Sequence, residues 1–238
     1  MPDWALRIRT ASYSEFRRIP LPKGVVLITS ALSREGKTFI ATSLAIAQAY
    51  KLGTEKPVLF VDLNTFNREG GAILARDPNL PGVANILRGR ASYEACIQAT
   101  PVPNLFVLPF GVVPDGFIPM TYLGALQILI QRLSRQYQII IDGVPVFLRN
   151  RNNFDPVELS LLAEGTVLIV LAGKTPYEVI AKSRQDIENM GGTVVGVIMN
   201  DRFVRSFRSE IAGYLRWFEK IPVIKHPIGY LRARLGIY

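Results

Sequence analysis

The chain has 238 residues, 49% hydrophobic and 20% charged, which suits one large α/β domain with appendages. One cysteine (Cys96) and one histidine (His226) exclude a disulfide framework and argue against a zinc site. No apolar run reaches the roughly 18 residues of a membrane-spanning helix, and "MPDWALRIRTASYSEF" has no apolar core of a secretory signal, so a cytoplasmic protein is expected.

The net charge of +9 is unevenly placed: +3 falls within residues 1–23 and +5 within 201–238, leaving +1 for 24–200. A near-neutral core with basic extensions fits a protein whose ends meet an anionic membrane surface or an acidic partner, and equally a solvated basic surface. No nucleic-acid recognition module is legible, so no nucleic acid is expected as a partner.

In chain order, residues 1–23 read as a basic N-terminal segment, predicted helical, which Pro20 and Pro22 close. "GVVLITS" then reads as a buried strand. From Lys37 the pattern becomes helical in "TFIATSLAIAQAYKLG", with Gly53 as the stop. "PVLFVDLN" (57–64) is a second strand, "GVANILRGRASYEACIQAT" a helix, a break and a second helix, and "NLFVLPFG" (104–111) a third strand. "YLGALQILIQRLSRQY" is an amphipathic helix, followed by the strands "QIIIDG" (138–143) and "GTVLIVLAG" (165–173). "TPYEVIAKSRQDIENMGG" is a helix closed by glycines, and "TVVGVIMN" (193–200) a sixth strand. Cys96 falls in an apolar helical pattern and is assigned to the core.

Strands alternating with helices predict a mostly parallel sheet with helices on both faces over residues 24–200. Strands apolar throughout predict burial on both sides. Ligands of such sheets bind at the carboxyl ends of the strands, where Ser30, Asp62, Asp142 and Asn200 all fall.

The first strand end carries the chemistry. Ser33-Arg34-Glu35-Gly36-Lys37-Thr38 joins a strand to a helix, which turns backbone N–H groups toward an anion with the helix dipole behind them. Gly36 lets the main chain approach phosphates, Lys37 supplies a charge for the β- and γ-phosphates, and the Thr38 hydroxyl suits Mg²⁺. The full phosphate-loop pattern G-x-x-x-x-G-K-[ST] asks for glycine at position 31, where this chain has Ala31. Asp142 is placed to hold Mg²⁺ through water. Asp62 is placed beside the same ion, to orient or deprotonate a nucleophile.

Over about residues 11–200 the chain resembles the bacterial tyrosine kinases of capsule and exopolysaccharide synthesis, the cytoplasmic ATPase domains of polysaccharide co-polymerases. "YQIIIDGVPV" is similar to that family's YD-hhh-IDTPPV element, with Asp142 on its aspartate, and "PGVANILRGRASYEACIQATPVPNLFVLPFG", "LLAEGTVLIVLAGKT" and "GGTVVGVIMN" resemble its flanking segments. The family, too, typically has no glycine at the position of Ala31. Cell-division and partition ATPases of the MinD/ParA type share the fold but carry a signature lysine where this chain has Leu32. The resemblance implies a P-loop NTPase fold, ATP and Mg²⁺ as ligands, and Asn200 near the adenine. It also implies autophosphorylation on C-terminal tyrosines, activation by a membrane-embedded co-polymerase, ring-like self-assembly, and a peripheral place at the inner face of the bacterial plasma membrane.

The departures fall on the catalytic elements. The family's D-x-D-x-R motif stands here as Asp62-Leu63-Asn64-Thr65-Phe66, and its E-x-x-R-x-x-R assembly motif as Glu15, Arg18 and Leu21. No tyrosine cluster closes the chain, whose tail carries scattered Tyr214, Tyr230 and Tyr238. Within the basic extension 201–238, Phe203, Phe207, Ile211, Tyr214 or Leu215, and Phe218 recur at helical spacing. That is a cationic amphipathic helix, suited to a membrane interface, a transmembrane partner or the domain's own sheet. Three readings follow: a tyrosine-kinase-like ATP-binding regulator, a degenerate nucleotide-switched adaptor of the same system, and a membrane-cycling positioning ATPase, against which Leu32 argues.

Overall fold

A computed structural model describes residues 5–8, 16, 18–52, 56–65, 74, 80–112, 116–148, 150 and 152–201. The predicted amphipathic helix after Asp201, the tail tyrosines, His226, Glu15 and Phe66 lie outside the described residues.

All six predicted strands form. With two more they make β1 (Ala5–Ile8), β2 (Val25–Ser30), β3 (Val58–Asp62), β4 (Gln98–Ala99), β5 (Leu105–Leu108), β6 (Gln138–Asp142), β7 (Gly165–Leu171) and β8 (Val194–Asn200). The sheet order is β1-β8-β7-β2-β6-β3-β5-β4. Every neighbouring pair is parallel except β4 with β5.

The helices are α1 (Lys37–Leu52), α2 (Val83–Leu87), α3 (Tyr93–Cys96), α4 (Leu123–Ser134), α5 (Pro156–Leu159) and α6 (Tyr177–Met190). They cover both faces, which explains why the strands are apolar without alternation. Val26 and Ile28 of β2 pack in one cluster with Ile40, Ala41, Leu44 and Ala45 of α1. The intervening Val25 and Leu27 point into the opposite cluster, with Leu126, Leu129, Ile130 and Leu133 of α4. Those four leucine and isoleucine positions follow the three-and-four spacing of one helical face. Further along, Leu168, Val170 and Val197 pack against Val157 of α5 and Ile187 of α6. Helix α6 ends at Gly191, whose φ of 101° is a left-handed stop that a side chain disfavours. No helix of the described residues is long and apolar enough to cross a membrane. Cys96 is buried, and its burial pushes the thiol pKa up, as a core cysteine requires.

Three expectations change. The N-terminal segment, expected to be helical, contributes strand β1, with Ala5 to Ile8 pairing in register with Val197 to Asn200. Without it β8 would present a row of unpaired backbone groups, and the short segment "ALRI" meets that demand. Nor does position 23 mark a break: Phe16 and Ile19 belong to the α1-side core, and Gln138 donates from Nε2 to the Pro22 carbonyl at 2.7 Å. The second addition, β4, follows α3 within a stretch that the sequence pattern assigns to helix.

Candidate functional site

Strand β6 lies between β2 and β3, so the two strand-end aspartates are brought side by side. Asp62 and Asp142 are paired in register, and Ile28, two residues before Ser30, is opposite Asp142. This adjacency follows from the crossover order and is invisible to any local sequence pattern.

The loop after β2 shows why glycine is dispensable at its first position. Ala31 continues the sheet: its N–H donates to the Ile169 carbonyl at 3.2 Å and its carbonyl accepts from Phe147 N–H at 3.2 Å. It is fully buried, and it is not among the left-handed residues. The left-handed turn comes later, at Arg34 (φ 63°) and Gly36 (φ 81°). The left-handed φ is what favours glycine at 36, and a Cβ there would also displace the Asn200 side-chain amide.

At the start of α1, the Lys37 ammonium is bonded to Oδ1 of Asp142, a pair with side-chain exposures of 6% and 0%. The Thr38 hydroxyl donates to Oδ2 of the same carboxylate at 3.0 Å, so both Asp142 oxygens are engaged, as a buried charge demands. Asn64 reaches the same cluster, its Nδ2 donating to Thr38 Oγ1 at 3.4 Å. The Asn64 backbone N–H donates to Asp62 Oδ1 at 2.9 Å, a local turn that fixes the fully buried Asp62. Thr38 and Asp142, bonded to each other, and Asp62, in register with Asp142, carry oxygen donors of the kind Mg²⁺ takes.

Glu35, expected among the loop residues around a ligand, is 2% exposed. Its Oε2 accepts from Leu32 N–H at 2.7 Å and its Oε1 from the Thr175 hydroxyl. Burial is the larger effect and raises its pKa, while the hydrogen bonds from Thr175 and the Leu32 backbone pull it down. Asn200, assigned to the adenine by resemblance, donates from Nδ2 to the Glu35 carbonyl at 2.9 Å and so braces the loop itself. Ser33 and Arg34 are exposed at the loop tip.

Sequence reasoning missed two residues. Thr175 reads only as a helix opener, and nothing in its spacing links it to residue 35. Asn153 is 1% exposed; its Oδ1 accepts from Thr65, and its Nδ2 donates to Asn150 Oδ1 at 2.9 Å. It thereby ties the segment bearing Asn64 to the loop after β6. Its burial is a property of the structure, and nothing in the surrounding sequence marks it.

The strand order, the helices on both faces and the loop entering α1 together define a P-loop NTPase fold. No protein-family model matches the chain. Comparison with known proteins nevertheless bears out the resemblance: the chain is similar to bacterial tyrosine kinases in sequence and in fold. It is 28% identical over 177 residues to the tyrosine-protein kinase CpsD of Streptococcus agalactiae, covering 74% of each chain. In fold it is similar to the kinase domain of the Escherichia coli tyrosine kinase ETK, at a TM-score of 0.68 and 22% identity, covering 81% of this chain and 73% of that one. It is also similar to the septum site-determining protein MinD of Pyrococcus horikoshii, solved with Mg-ADP, at a TM-score of 0.63 and 23% identity over 77% of this chain and 72% of that one.

Proposed function

We propose that the chain is an ATP-binding, tyrosine-kinase-like regulator of capsule or exopolysaccharide synthesis or export, working at the inner face of the plasma membrane with a membrane-embedded co-polymerase. The observation that carries the reading is the convergence of Lys37, Thr38 and Asp142 at one strand edge, with Asp62 in register beside them. Lys37 and the loop N–H groups bind the phosphates. Thr38, Asp142 and Asp62 hold Mg²⁺, which when bound neutralises charge on the β- and γ-phosphates. Asp62, fixed by the Asn64 N–H, orients the acceptor hydroxyl or takes its proton.

One specific observation favours a second reading, a nucleotide-switched adaptor without turnover. Asn64 occupies the place of the second acidic residue and donates a hydrogen bond to Thr38, so it adds no negative charge where a kinase site would use one.

Incubation of the full chain with Mg-ATP, alone and with its membrane partner, separates the two. Mass spectrometry is expected to find phosphotyrosine on Tyr214, Tyr230 or Tyr238, and to lose it in Lys37→Met and Asp62→Asn. ATP binding that Lys37→Met weakens, without phosphotyrosine, sinks the kinase and leaves the adaptor.

A further inference from the structure

Residue 35 is held from three directions. Its carboxyl accepts the Leu32 N–H, closing the loop on itself three residues back. The same carboxyl accepts the hydroxyl of Thr175, which in turn accepts the Leu171 N–H at 2.9 Å at the end of β7. The carbonyl of residue 35 accepts the side chain of Asn200 at the end of β8. The residues on either side, Arg34 and Gly36, are both left-handed. Such a loop shape is costly for the chain alone and persists where its surroundings over-determine it.

We propose that Glu35 and Thr175 form a latch that positions the phosphate loop, anchoring the cradle of N–H groups to the end of β7. The inference rests on the nucleotide-binding reading of the same site. A cradle of backbone N–H groups favours an anion only if those groups are already aimed when it arrives. Here Ala31 is fixed by the sheet and Lys37 by α1, leaving residues 32–36 to be shaped by other means. The latch supplies them: it ties Leu32 to Glu35 within the loop and ties Glu35 to a rigid strand outside it. Glu35 and Thr175 act through the loop, as positioning residues.

The test uses the full chain and Mg-ADP, with affinity measured by calorimetry for wild type, Thr175→Ser, Thr175→Val, Glu35→Ala and the Glu35→Ala/Thr175→Val pair. Valine keeps the branched shape of Thr175 and removes the hydroxyl that bonds Glu35 and the Leu171 N–H. Thr175→Val and Glu35→Ala are each expected to weaken binding about tenfold, as loss of a hydrogen bond to a charged group allows. Thr175→Ser keeps the hydroxyl and is expected to bind within about twofold of wild type. The double variant is expected to be little weaker than the worse single one, since each change opens the same latch. Amide exchange at Leu32 in nucleotide-free protein should speed up in Thr175→Val and stay slow in Thr175→Ser. A merely structural threonine would lower thermal stability without separating serine from valine in affinity. Equal affinity of the valine and serine variants, with wild type binding normally, overturns the latch alone. Wild type that binds no Mg-ADP overturns the nucleotide reading and this inference with it.

Discussion

The ammonium of Lys37 and the carboxylate of Asp142 are bonded to each other inside the protein, 105 residues apart in sequence and both shielded from water. Loss of one member leaves the other charge buried with too few partners, which costs about 3–5 kcal/mol. Lys37→Met is therefore expected to lower stability as well as weaken nucleotide binding. Lys37→Met/Asp142→Asn should recover most of the stability in denaturant titrations, because the stranded charge is gone, and recover none of the binding. A double variant no more stable than Lys37→Met shows that the pair is not the source of the loss.

Substitution at the loop's two small residues should cost stability at both and nucleotide affinity only at Gly36. Ala31 is sheet-like and packs in the cluster with Val146, Val157 and Leu168. Ala31→Gly, which restores the general phosphate-loop pattern, is expected to cost about 1 kcal/mol in chain entropy and packing and leave Mg-ADP affinity unchanged. Gly36→Ala meets a left-handed backbone and the Asn200 side chain at once, and is expected to destabilise by at least about 1–2 kcal/mol and weaken binding. Tighter binding by Ala31→Gly would show that the missing glycine does limit the site.

Asn64 stands where the resemblance to the bacterial tyrosine kinases puts a second acidic residue, and its side chain reaches Thr38. Asn64→Asp would place a third carboxylate next to Asp62 and Asp142, where like charges disfavour one another unless a cation is present. The variant is expected to melt lower than wild type in EDTA and to gain more from Mg-ADP. Phosphotyrosine that appears only in Asn64→Asp would mark this side chain as what separates adaptor from kinase. Equal melting behaviour with and without Mg²⁺ would remove Asn64 from the ion's surroundings.

The strands were legible because a sheet buried on both faces leaves an apolar run that few other structures need. The Gly-Lys-Thr stretch was legible because phosphate binding puts its requirement into adjacent residues. Strand β1 was not: four residues pair there because β8, flanked by β7 on one side, would otherwise leave its other edge unpaired, and that demand is a property of the sheet, not of "ALRI". The register of Asp62 with Asp142 likewise depends on β6 inserting between β2 and β3. The bond from Thr175 to Glu35 joins residues 140 apart, and each looks locally like something else, a helix opener and a loop carboxylate.

The pH dependence of stability carries the same carboxylate's signature. Burial raises the Glu35 pKa above its ordinary value of 4.5, against the opposing hydrogen bonds. In the window between 4.5 and that raised value the folded protein holds the proton more tightly than the unfolded chain, so stability falls as pH rises. The Glu35 contribution is complete below 4.5 and is lost as pH climbs through the folded value. Glu35→Gln removes this dependence. The stability difference between the two proteins should therefore shift toward glutamine as pH rises from 4.5 through the raised folded value, then level off. Glu158, whose pKa burial also raises, is present in both proteins and cancels in the difference. A difference that stays flat across this range would mean that the Glu35 carboxyl loses its proton as easily in the folded loop as in water, its hydrogen bonds fully offsetting its burial.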